Sequence, residues 1–148
     1  MQLRSIVIAL SVLIFTGGTA PVFGEDTWEY FSVKDAINSP LAQEKLDPEI
    51  TFHMKGEQHP AVNDVTPEYT ANQRSRKFGR SVEEACRVAF ISSLISFQQR
   101  AYKEDADTVI DLYSITKDKR FESTDQYSCL VGSMVANVAL RGKVGKSK

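Results

Sequence analysis

Residues 81–103 read SVEEACRVAFISSLISFQQRAYK, and this stretch decides the fold. Ser81 stands three residues before Glu84, the spacing at which a serine hydroxyl caps a helix N-terminus while a glutamate reaches back to it. Cys86, Phe90, Leu94, Phe97 and Ala101 follow the i, i+4, i+8, i+11, i+15 spacing of one helix face, and Val88, Ile91 and Ile95 widen the stripe beyond the usual third of the circumference. A helix so broadly apolar must be covered on most sides, which predicts deep burial. Ser92, Ser93 and Ser96 are small enough to let its backbone sit close to a sheet or another helix, and no motif or paired base marks them as nucleophiles. The helix is expected to end between Lys103 and Asp105.

Downstream, residues 108–115 (TVIDLYSI) are β-branched and aromatic and predict a strand, and the charged residues 117–126 predict a hairpin loop. Residues 127–140 (YSCLVGSMVANVAL) form an extended, mostly apolar run. It suits a final strand, with Gly132, Ser133, Ala136 and Ala139 admitting something packed tightly over it. Residues 143–148 are expected to be a frayed, disordered basic tail. Upstream, residues 25–49 read as a short helical entry region. Ser32 and Ser39 are N-caps, Pro40 suits a first helical position, and Asp47-Pro48 is the stop. Residues 50–54 predict a strand closed by Lys55-Gly56, residues 57–72 a turn and a second strand, and residues 74–80 (RSRKFGR) a polar, exposed connection. The fold class is therefore α+β: one long buried helix on a small, mostly antiparallel sheet, with a helix-strand-strand core at the C-terminal end.

Residues 1–24 read as a secretory signal peptide. Arg4 supplies the positive start, and residues 6–15 form an apolar core of about ten residues, well short of the roughly twenty that cross a bilayer. Val22-Phe23-Gly24 places the cut before Glu25. Residues 25–142 then form one α+β domain, periplasmic or secreted, with no membrane span once the leader is removed. Of 18 basic and 19 acidic side chains only Arg4 lies in the leader, so the remainder carries a formal net charge of −2. That near neutrality argues against nucleic acid, whose binding needs a clear positive stripe.

Cys86 and Cys129 are the only cysteines, and an even count in an exported chain points to a disulfide between them; two separate buried thiols are one other reading, and a reactive or metal-binding cysteine, which lacks the close Cys-x-x-Cys spacing, is another. A helix lying across the strand that holds Cys129 would bring the two Cα atoms within bridging distance.

Residues 83–142, with EEACRVAFISSLISFQQRA, the acidic turn of DADTVIDLYS and then YSCLVGSMVANVALRG, resemble a group of small exported bacterial proteins. These are labelled "excinuclease ATPase subunit", and in them an EEAC-x-x-A helix, a Gly-Ala-Asn-Ala-like turn, a strand and a Tyr-x-Cys-x-x-Gly strand recur in this order. More loosely, the same order is similar to the YbjQ-like fold and to the disulfide-bonded outer-membrane lipoprotein that senses stress in the Rcs pathway. The resemblance implies an envelope location, this fold and the disulfide, and it implies no activity. The label itself does not transfer. Gly142-Lys143 is followed by Val144, and Gly145-Lys146-Ser147 has Leu140 where a phosphate loop carries its first glycine. The turn's usual glycine is Asp105 here, which implies a looser turn.

Among polar groups, His53 and His59, with Glu57 and Asp64 nearby, are the candidate metal ligands, although their spacing gives no reason for the two rings to converge. Glu104, Asp105, Asp107 and Asp111 read as a solvated acidic turn, lacking the ligand pattern of a calcium loop. Arg74, Arg76, Lys77 and Arg80, with Phe78 among them, are either an exposed connector or a surface for an anionic partner such as lipid headgroups or polysaccharide. No Ser-His-Asp, Cys-His or paired-carboxylate arrangement stands out, and no cofactor is expected. These readings lead to an exported, non-catalytic module that binds an envelope protein or an anionic envelope component. The alternative is a small-ligand or metal carrier.

Overall fold

The computed structural model describes Gly18 and residues 24–148, so the leader read in residues 1–24 lies outside the described residues apart from Gly18 and Gly24. The elements run β1 (Thr27–Ser32), α1 (Val33–Ile37), α2 (Pro40–Lys45), β2 (Thr51–Met54), β3 (Val62–Asn63), β4 (Tyr69–Arg76), α3 (Val82–Lys103), β5 (Thr108–Ser114), a 3-10 turn (Thr116–Asp118), β6 (Gln126–Val131) and β7 (Val135–Ser147).

α3 starts where its cap predicts. Ser81 Oγ accepts a hydrogen bond from the Glu84 amide at 3.1 Å, and acidic residues in the first turn and basic ones in the last complement the helix dipole. Cys86, Phe90, Leu94, Phe97 and Ala101 are all fully buried. Each of the three large side chains among them contributes roughly 2–3 kcal/mol by leaving water. The serines do let the helix close on the sheet: the Ser93 hydroxyl lies 3.1 Å from the Val138 carbonyl of β7, and Ser96 Oγ accepts from Gln73 Nε2 of β4 at 3.1 Å.

That sheet has seven strands, mixed but mostly antiparallel, and β7 is its spine. β7 pairs antiparallel with β4, β5, β6 and β3, while β1 pairs with β6 and only β2 with β5 is parallel. Alternate residues of β7 (Ala136, Val138, Leu140 and Val144) join the core cluster beneath α3. Between Ile110 and Tyr113 the register of β5 against β7 slips by one residue, a bulge at Asp111 with φ +55°. Gly142 of β7 sits against that bulge. A Cβ there would lie 2.8 Å from Leu112 Cδ2 and 3.0 Å from the Ile110 carbonyl, so only glycine lets the two strands meet.

Five sequence expectations need correction. The entry region is not all helical, because TWEYFS forms β1 along β6 before Ser32 caps α1 and Ser39 caps α2. Arg74, Ser75 and Arg76 are the end of β4, not connector, since their partners Asn137, Ala136 and Val135 exist only once the sheet assembles. Residues 127–140 are two strands, not one, turning at Gly132–Met134, with the Gly132 amide bonded to the Val135 carbonyl at 2.9 Å. Cys129 therefore lies in β6 rather than in the final strand. Residues 143–148 are not a disordered tail, because residues 143–147 continue β7. They pair with β5 at Lys143, Val144 and Gly145 and with β3 at Lys146 and Ser147.

The fifth concerns the turn after α3, which is tight despite lacking glycine. The Ala106 amide bonds to the Ala101 carbonyl at 2.8 Å and the Asp105 amide to the Tyr102 carbonyl at 3.4 Å, the Schellman arrangement, with Asp105 at φ +50°. Asp105 carries the left-handed strain and recovers part of it through Lys146 Nζ at 2.6 Å. Asp105→Gly should therefore raise stability by roughly 0.5 kcal/mol, and Asp105→Val should lower it by more than about 1 kcal/mol. Urea unfolding of the two variants checks the sign; a destabilised glycine variant would mean that the ion pair outweighs the backbone.

Candidate functional site

The disulfide is formed. Cys86, in the second turn of α3, is bonded to Cys129 of β6 with Cα atoms 5.9 Å apart, and both residues are fully buried. It staples the helix to the sheet, and its burial keeps it away from soluble thiols.

His53 and His59 come together, contrary to the spacing argument. The bulged end of β2 and the turn at Gly56 fold the chain back, leaving the ring centroids 5.7 Å apart. The site stops there. His59 Nδ1 is taken up by the Pro60 carbonyl at 2.8 Å, and Glu57 accepts from the Met54 amide at 2.9 Å while staying 3.8 Å from His53 Nδ1. Among the described residues no three His, Cys, Asp or Glu side chains converge as metal ligands.

The acidic residues after α3 do not act as a group, since each is taken by its own partner. Glu104 pairs with Arg100 at 2.8 Å, Asp105 with Lys146 at 2.6 Å and Asp111 with Lys143 at 3.6 Å. Asp107 accepts from the Ser147 hydroxyl at 2.6 Å, the Ser147 amide at 2.8 Å and the Thr108 hydroxyl at 2.7 Å, which pull its carboxyl down to about 2. Its task is to clamp the end of β7. Gly145-Lys146-Ser147 is thus extended strand, and no helix opens from it to receive a phosphate.

The basic cluster gains a neighbour that the sequence does not announce. Arg74 and Arg76 are exposed on β4, and the chain then turns through Lys77–Arg80, closed by the Arg80 amide on the Lys77 carbonyl at 2.9 Å with Gly79 at φ +72°. Beside this turn stands the β6–β7 turn. The Lys77 amide bonds to the Met134 carbonyl at 3.0 Å and Lys77 Nζ to the Gly132 carbonyl at 2.8 Å, so the two tips are tied together. They carry Phe78, 96% exposed, and Met134, 78% exposed, around an open depression of about 800 Å³ that Arg76, Arg80, Glu84 and Val135 also line. Arg80 is held over the strand end by its contacts with the Arg76 carbonyl at 3.2 Å and Ser75 Oγ at 3.4 Å.

A second cleft, of about 540 Å³, lies at the start of α1 between Lys34, Phe52, Glu57 and Asp125, and it holds no comparable apolar projection. The exposed side chains of the basic corner are the strongest departure from an ordinary surface among the described residues. Searches with the chain against protein-family models, curated proteins and solved structures match none of them.

Proposed function

We propose that this chain is an exported, non-catalytic α+β module of the bacterial envelope whose contact surface is the corner formed by the end of β4, the start of α3 and the β6–β7 turn. The observation that carries this reading is the pair of exposed apolar side chains, Phe78 and Met134, on two turns tied together through Lys77 and lining one depression with Arg76 and Arg80. Large apolar groups displayed together at the surface mark interaction sites, whereas single scattered ones do not. The signal-like leader and the buried disulfide support an oxidising compartment. The resemblance to the small exported "excinuclease ATPase subunit" proteins belongs to the same proposal. Ser92 and Ser93, the most nucleophile-like side chains of α3, are turned onto backbone carbonyls, which favours a binding role over a hydrolytic one.

The test is photocrosslinking in intact cells from a reactive residue at position 78, with position 102 at the far end of α3 as the control. Adducts from 78 and not from 102 are expected, and none from 78, or equal yields from both, would overturn the reading. Intact mass should also show a start within a few residues of Glu25. A metal or small-ligand carrier is the second reading, favoured by the approach of His53 to His59. It predicts heat on titration with zinc or copper, and a flat titration at micromolar protein ends it.

A further inference from the structure

We infer that the corner is a membrane-contact tip: Phe78 and Met134 enter the acyl boundary of an anionic bilayer while Arg74, Arg76 and Arg80 meet the headgroup phosphates. This deepens the proposed binding role and rests on it.

Two observations favour a lipid surface over a protein. The apolar part is small. Phe78 projects almost wholly into solvent and Met134 nearly so, whereas a stable protein interface needs a broad apolar centre inside roughly 800 Å² per partner. The surrounding charge has one dominant sign. None of Arg74, Arg76, Lys77 or Arg80 forms an ion pair among the described residues. Glu84 is the one carboxylate lining the depression, Glu83 beside it is neutralised by Arg87 at 2.7 Å, and Asp26, which lines the adjoining cleft with Arg74, pairs with Lys117 at 3.5 Å. Apolar side chains ringed by arginine and lysine have the composition of an interfacial anchor on anionic lipid.

Rigidity adds to the case. The two tips are bonded to each other through Lys77, and Phe78 follows a strand eight residues long paired along its length with β7, so little order is lost on insertion.

The experiment is co-sedimentation of the exported protein, disulfide intact, with vesicles of phosphatidylcholine alone or with 30% phosphatidylglycerol, and with beads carrying dextran sulfate. Binding is expected to the anionic vesicles only and to weaken with salt. Phe78→Ser should reduce it about tenfold, and Arg76→Ser with Arg80→Ser about twenty-five-fold, near fivefold per cation. These positions are exposed, so thermal melts should match the parent. Phe78→Trp should show quenching by lipid-borne quenchers beyond that of Trp28, the only native tryptophan. Three results overturn the inference: no binding to anionic vesicles, binding indifferent to Phe78→Ser, or equal retention on dextran sulfate. If crosslinks from position 78 persist on a protein while vesicles fail, the lipid assignment falls and the binding role stands; if both fail, both fall.

Discussion

Cys86→Ser is expected to lower the free energy of unfolding by about 4 kcal/mol. The bridge closes a loop with a sequence separation of 43, and the entropy that loop removes from the unfolded chain corresponds to that figure. Set against the roughly 5–15 kcal/mol that holds a typical domain, the loss leaves a marginal protein. Cys129→Ser should cost the same. The double variant should cost little more than either single, because both remove one covalent link. Chemical denaturation of the three variants measures this, and thiol titration of unfolded, unreduced parent should find none. Full additivity in the double variant would show that the two positions act as separate core residues and that the loop contributes little.

The second large effect concerns the aromatic contact beside the bridge. Phe90 stacks on Tyr127 of β6 with ring centroids 4.0 Å apart and planes at 14°, and both residues are fully buried. Phe90→Ala removes that stacking and leaves a cavity under the sheet, an expected loss of about 4 kcal/mol, with Phe90→Leu nearer 1.5 kcal/mol. Tyr127 supplies the contrast. Burial pushes its hydroxyl up, and the oxygen has no hydrogen-bond partner among the described residues. Tyr127→Phe keeps the ring and deletes that unpaired group, so stability should stay within about 1 kcal/mol of the parent or rise. Equilibrium unfolding of the three variants distinguishes the cases. A loss near 4 kcal/mol in Tyr127→Phe would show that the hydroxyl, not the ring, holds the contact.

For the corner, the expected effects fall on partner binding and leave stability alone. Phe78 and Met134 touch solvent, so their replacement removes little packing. This separation makes the membrane assignment testable on folded protein, in contrast to Cys86 and Phe90, where function and stability would be lost together.

Sequence by itself determined what short-range physics encodes. Ser81, Ser32 and Ser39 cap their helices because a hydroxyl reaches only the amides of the next turn, and the five-residue stripe from Cys86 to Ala101 is buried because helical period alone puts it on one face. With two cysteines the bridge had only one intramolecular pairing available. Tertiary structure decided what depends on partners far along the chain. Residues 143–147 are polar and basic and look like a tail, yet they are strand because β5 and β3 supply carbonyls and amides and Asp107 clamps Ser147. TWEYFS shows no clean alternation and becomes β1 through its pairing with β6. The split of residues 127–140 at Gly132 follows from β6 folding back along β7, Val131 opposite Ala136 and Leu130 opposite Asn137, while β1 takes the other edge of β6. His53 meets His59 through a bulge and a turn, and the turn carrying Phe78 is tied to the turn carrying Met134, 56 residues on, through hydrogen bonds from Lys77. Hydrogen-bond partners and surface neighbours of this kind are properties of the assembled sheet, and no local pattern of residues carries them.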